Sequence, residues 1–206
     1  MIDERRPLEV VRTGRIDYRA GLDLQAARVA ARRAGTVSDG LFLVEHDHVL
    51  TLGTSTRREH LLLDDDVLRA RGYEVVEVGR GGDVTYHGPG QLVGYPVLAL
   101  EPERRDLHRY LRDLEEVLIR AVGAFGLRAG REEGLTGVWV PGGKLAAIGV
   151  RVSSGWITSH GFALNVDPAL ERVTAIVPCG IAARPVTSLA RELGRAPDAA
   201  AVEAAV

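Results

Sequence analysis

The stretch from 137 to 166 constrains the fold most. "GVWVPGGKLAAIGVRV" and "WITSHGFALNV" both read as strand, separated only by a Ser-Ser-Gly turn, with a Gly-Gly turn inside the first. No helix fits between them, so a strictly parallel sheet with helical crossovers is excluded here. Elsewhere helices and strands interleave. The pattern therefore predicts α/β (α+β) architecture, a mixed β-sheet flanked by helices, in a single domain over 1–206.

The remaining elements follow from periodicity and punctuation. "LEVVR" at 8–12 reads as a short strand. Residues 16–35 read as a helix, with Asp17 as N-cap and Gly35 as stop. "GLFLVEHDHVLTLG" at 40–53 is β-rich, which puts His46 and His48 on one strand face. A short helix with an acidic first turn (63–72) precedes the strand "YEVVEVG". Asp106 caps the clearest helix, whose apolar face is Leu107, Tyr110, Leu111, Leu114, Leu118, Ala121, Val122 and Phe125, ending at Gly126. From 127 to 166 the chain reads as mostly strand. "SLARELG" and "PDAAAVEAAV" read as short helices, the second without a stop signal, so the C-terminal helix region reads as incomplete.

Composition narrows the function classes. The chain has 206 residues, 46% of them hydrophobic, enough for a real core. A net charge of −2 argues against a dedicated nucleic-acid binder. The start "MIDERRPLEV" has no apolar core of a signal peptide, and no run approaches a membrane span. One cysteine, Cys179, cannot form an internal disulfide, and a cytoplasmic location fits best. Neither composition nor pattern fixes the oligomeric state; a monomer is favoured.

Lys144 is the only lysine among 26 basic residues. Coding bias toward arginine would explain this, and so would chemistry: lysine can give up its proton in a buried site and arginine cannot. Four stretches around it could carry a reaction. "RGGDVTYHGPGQLVGYP" at 80–96 is a glycine-rich segment whose backbone N–H groups could approach a ligand, or a tight Gly-Pro-Gly hairpin. "TAIVPCGI" at 174–181 places Cys179 at a turn after an apolar strand-like run, where backbone N–H groups could bind an oxyanion. A thiolate there needs a nearby positive charge, and Lys144 is the natural candidate. In "SHGFALNV" at 159–166, His160 could carry protons or be a satisfied strand histidine. In the same stretch, Gly161 and Ala163 leave room for a ligand's chain and Asn165 could orient a loop. His46 and His48 lack a third ligand at useful spacing, so no metal is expected.

Together these segments resemble the lipoyl(octanoyl) transferases, from about "VRTGRIDY" to "SLARELG". Three blocks carry the resemblance in order: "RGGDVTYHGPGQLVGYP", "GKLAAIGVRV…ITSHGFALNV" and "AIVPCGI". The resemblance implies a fold related to lipoate and biotin protein ligases. It implies transfer of an octanoyl group from acyl carrier protein to a lysine of lipoyl domains. The acceptors would be 2-oxoacid dehydrogenase acyltransferase subunits and the glycine-cleavage H protein. The acyl-thioester cysteine falls on Cys179 and its partner on Lys144. The substrate-binding block falls on Arg80, Gly81, Gly82, Asp83, Val84, Thr85, Tyr86 and His87, with further positions at Ala147, Ile148 and Gly149 and at Gly161, Phe162 and Ala163. No cofactor is implied beyond the carrier's phosphopantetheine, and no nucleic acid or membrane partner. The chain departs from the family where Asp47-His48 replaces a common proline pattern, and it stops earlier than many members.

Two rivals make different demands. An ATP-dependent lipoate- or biotin-type ligase of the same fold would form an acyl-adenylate and would not need Cys179. A non-enzymatic acyl-carrier-binding module would keep its function in Cys179→Ala.

Overall fold

The computed structural model describes residues 7–176 and 185–206. Cys179, with the rest of 177–184, lies outside the described residues. A six-stranded mixed sheet has the order β1-β2-β6-β9-β8-β7, and a three-stranded sheet the order β4-β3-β5. In the large sheet these are β1 (Leu8–Ile16), β2 (Asp39–His46), β6 (Gln91–Val97), β9 (Ile157–Asn165), β8 (Gly143–Ser153) and β7 (Val138–Val140). In the small one they are β3 (Val49–Leu52), β4 (Glu74–Glu77) and β5 (Thr85–His87). Among the described strand pairs, only β1–β2 and β3–β4 run parallel. The β8–β9 pair is antiparallel from Ala146↔Leu164 to Ser153↔Ile157, as two strands without a crossover must be.

Period-two alternation divides the core. On β2, Leu41 and Leu43 pack in a cluster with Leu118 and Val122, while Phe42 and Val44 join a second cluster with Val93, Tyr95 and Ala163. The first cluster lies under α3 (Leu107–Gly123) and is closed by Leu189 of α4 (Leu189–Leu193) and Val202 of α5 (Ala199–Ala205). The second lies under α1 (Tyr18–Arg33), which contributes Leu24 and Val29. The caps are those the sequence indicates. Asp17 accepts from the N–H groups of Arg19 and Ala20, and Asp106 from that of Arg109. The short α2 (Asp65–Ala70) covers the small sheet through buried Leu68.

Four expectations need correction. His46 ends β2 in the large sheet, whereas His48 precedes β3 in the small one, so they do not share a strand face. The chain returns from β5 to β6 through Gly88-Pro89-Gly90, which makes that segment a passage between sheets rather than a hairpin. Residues 127–137 form no strand beyond a bridge from Gly130 to Trp139. Thr174 and Ala175 end a 3-10 helix (Leu170–Ala175) instead of opening the strand-like run expected before Cys179; Ile176 is extended and bridged to Leu61, and the rest of that run lies outside the described residues. Smaller differences lie at helix ends: α3 stops at Gly123, and Leu107 is 42% exposed.

Candidate active site

The two passages between the sheets, at Asp47 and at Gly88–Gly90, leave a cavity system where the sheets meet. Lys144 stands at its entrance. It is the second residue of β8 and is 7% exposed. Its backbone N–H donates to Pro185 O (2.9 Å), and its carbonyl accepts from Thr187 N–H (3.0 Å). Its Nζ lies 5.3 Å from the ring centroid of Trp139, its cross-strand partner. The cavity at Lys144 is lined by Val84, Thr85, Tyr86, Gln91, Ala147, Ala163, Asn165, Val173, Ile176 and Val186. Two of these lining residues, Ile176 and Val186, flank the stretch 177–184 in sequence.

Thr85 and Ala147 also line two further spaces. One is an inner cavity bounded by Tyr18, Arg80, His87, Tyr95, Ile148, Gly149, His160, Gly161, Phe162 and Ala163. The other is an open cleft of about 400 Å³, bounded by Gly81, Gly82, Asp83, Leu107, Leu111, Gly134, Leu135, Thr136 and Lys144. The structure thus brings together every candidate residue in the described part of the chain, whatever its distance in sequence. A side chain at Gly161 would collide with the carbonyl of Gly94, so β9 and β6 approach here only because this residue is glycine.

The glycine-rich block is held from both sheets. Buried Arg80 donates through Nη2 to Thr51 O (2.9 Å) and Thr51 Oγ1 (2.8 Å) of β3, and through Nη1 to Gly81 O (3.0 Å). Gly81 N–H donates to Val150 O of β8 (2.9 Å). Asp83 accepts from the N–H of Val84 (2.7 Å), and its other oxygen lies 2.5 Å from His60 Nδ1.

A chain of hydrogen bonds connects this block to the lysine strand. Gln91 Nε2 donates to Asn165 Oδ1 (2.9 Å), and Asn165 Nδ2 donates to Thr187 O (3.0 Å). Thr187 in turn is bonded to Lys144 through its N–H. Gln91 Oε1 is left to accept from His87 Nδ1–H (2.8 Å), so neutral His87 presents Nε2 as an acceptor. Asn165 therefore does fasten a loop, the one at 185–187.

The inner cavity is lined by aromatic side chains, neutral histidines and one buried cation, Arg80. Burial, helped by His46, pushes the pKa of His87 down to about 3. Burial, then Arg80 and Arg151, lowers that of His160 to about 4. Burial also lowers His46 and raises Tyr18 to about 12. His46 donates from Nδ1 to Ile16 O (3.0 Å) and accepts at Nε2 from Tyr95 OH (2.7 Å). Tyr18 stacks on His87 at 5.8 Å. His160 has a φ of 56° and donates its N–H to Gln25 Oε1 of α1 (2.7 Å).

Sequence reasoning missed Tyr18, Gln25, Gln91, Tyr95 and Trp139. Gln91 had a usable signal, a polar residue opening an apolar strand directly after the Gly-Pro-Gly segment. Tyr18 and Gln25 had none, because only tertiary packing turns that helix face toward His87 and His160.

The arrangement places a buried amine on the walls of both a small, largely apolar cavity and a larger cleft. The comparisons with known proteins identify the class of domain that carries it. Residues 17–206 match the family described as the lipoyl protein ligase A/B catalytic domain. An octanoyltransferase from Chloroflexus aggregans is 49% identical over 199 residues, covering 96% of this chain and 90% of the relative. The putative lipoate protein ligase of T. acidophilum, solved with bound lipoic acid, superposes with a TM-score of 0.75 at 17% identity, over 96% of this chain and 81% of that one. The biotin protein ligase of Aquifex aeolicus superposes at 0.53 with 12% identity, over 96% and 64%. The chain belongs to the octanoyltransferases, the acyltransferases of the lipoyl protein ligase A/B catalytic-domain family. The mixed-sheet fold related to lipoate and biotin ligases is the one expected from sequence. Among the described residues, no helix is long and apolar enough to cross a membrane.

Proposed function

We propose that the chain moves an octanoyl (or lipoyl) group from acyl carrier protein to a lysine of lipoyl domains through an acyl thioester on Cys179, with Lys144 as proton carrier. One observation carries this reading: the buried residue Lys144 lines both the small apolar cavity and the larger cleft. The position of Cys179 in sequence supports it. Cys179 is three residues from Ile176, which lines the Lys144 cavity, and three residues of chain span at most about 11 Å.

In the first half-reaction, the Cys179 thiolate attacks the donor thioester carbonyl. The new S–C bond forms, the bond to the phosphopantetheine sulfur breaks, and Lys144 gives that sulfur its proton. In the second, the acceptor lysine's amine attacks the acyl-enzyme and passes a proton to neutral Lys144, and Cys179 leaves as thiolate. A thioester becomes an amide, so no ATP is consumed. The acyl chain runs along Thr85, Ala147–Gly149 and Gly161–Ala163, where the inner cavity of about 30 Å³ must widen to admit it, gaining about 0.8 kcal/mol per buried methylene. The cleft along Gly81–Asp83 receives the pantetheine arm and then the acceptor lysine, each in its turn.

Intact-protein mass spectrometry after mixing with octanoyl-acyl carrier protein tests the route. One octanoyl adduct on Cys179, absent in Cys179→Ser and cleared by a lipoyl domain, is the expected result. Transfer without an adduct, or transfer from free octanoate with ATP and magnesium, would replace it with direct attack or an adenylate.

A further inference from the structure

We infer that Glu115 is a positioning residue for Lys144, acting through the backbone of Gly137; the inference rests on the reading of Lys144 as proton carrier. Glu115 lies on α3 and is fully buried, outside the cavities that border Lys144. Its Oε2 accepts from Arg112 Nη1 (2.6 Å) and Arg131 Nε (3.0 Å). Its Oε1 accepts from the N–H of Gly137 (3.0 Å). One carboxylate therefore ties both ends of the segment 131–137. Gly134, Leu135 and Thr136, between those ends, form a wall of the open cleft.

Gly137 is also the surface on which the lysine rests. It has a φ of 132°, and a side chain there would stand 2.6 Å from the carbonyl oxygen of Ala146, 2.7 Å from Lys144 Cε and 3.3 Å from Nζ. The ring of Trp139 faces the same ammonium. The end of Lys144 is thus bracketed by a glycine backbone and an indole, and Glu115 fixes the glycine. A buried carboxylate held by two arginines is rigid because each of its hydrogen bonds is charge-assisted. Arg131 is further fixed by bonds to Arg112 O (3.1 Å) and Glu116 Oε2 (3.0 Å). Without Glu115, Arg131 keeps its bonds to Arg112 O and Glu116, but Gly137 N–H loses its acceptor and the lysine its fixed seat.

Lys144 is the chain's only lysine, so protein labelled with 13Cε-lysine gives one lysine signal that reports its seat directly. The Trp139 ring should shift that signal upfield in the wild type. In Glu115→Leu the signal should move toward the position of free lysine. Its kcat should fall by about a hundredfold, as for a reacting group displaced by about 1 Å, with KM changed less than about twofold. Glu115→Gln keeps an acceptor for Gly137 N–H and should restore most of the rate and the upfield shift. Should Glu115→Leu fail to fold, Glu115→Asp, whose shorter carboxylate cannot reach Gly137 N–H from the same backbone position, should move the signal in the same direction and lower kcat. A folded Glu115→Leu, or in its place Glu115→Asp, with an unmoved signal and wild-type kcat overturns the proposal. Lys144→Ala, run alongside, separates the two ideas. If it retains full activity, the proton-carrier reading falls, while the spectra still report whether Glu115 seats the side chain.

Discussion

His87 and His160 make the fold sensitive to mild acid in a calculable way. Both are neutral in the folded protein, with pKa values lowered to about 3 and about 4 by burial. In the unfolded chain each titrates near 6.5. As pH falls below 6.5 the unfolded chain binds protons that the folded one refuses, so this stability is present above 6.5 and is lost toward the folded pKa values. At about pH 5 an unfolded histidine is about thirtyfold more protonated than neutral, which costs the folded state ~2 kcal/mol for each. Two such residues remove ~4 kcal/mol, a large share of a typical folding free energy. Most carboxylates are still ionised in both states at that pH, so the histidines dominate the change. Urea denaturation near pH 7.5 and near pH 5 measures it, and His160→Gln should shrink the drop by ~2 kcal/mol. An undiminished drop in both His160→Gln and His87→Gln would refute the view that the inner cavity keeps its histidines neutral.

Lys144→Arg keeps the charge but loses proton exchange. Single-turnover assays should show slowing of both half-reactions by at least about a hundredfold, and wild-type turnover would rule out that role. Ala163 lines both the lysine cavity and the inner cavity. Ala163→Val should lower the octanoyl-to-hexanoyl ratio of kcat/KM by about fourfold for each methylene excluded, and an unchanged ratio would place the acyl chain elsewhere.

The fold was legible where one segment carries its own instruction. Asp17 and Asp106 cap their helices from the sequence outward, and the turn at 153–155 forces β8 and β9 to run antiparallel. It was not legible where a strand changes sheets. "EHDHVL" alternates as one strand would, yet Asp47 lies between two sheets, and only the pairing partners Tyr95 and Tyr86 tell His46 from His48. The site divides in the same way. Its glycines and its lone lysine stand out because each does something its neighbours in the chain cannot. Gln91, Glu115 and Trp139 look ordinary in sequence because their roles are fixed by what packs against them. Glu115 sits on the buried side of an amphipathic helix, where a carboxylate is costly unless it is paired. A charge at a position the helical period assigns to the core was the one sign of it in the sequence. Such a charge requires partners brought in by the fold, and those that arrive, Arg131 and Gly137, belong to the segment that reaches the lysine.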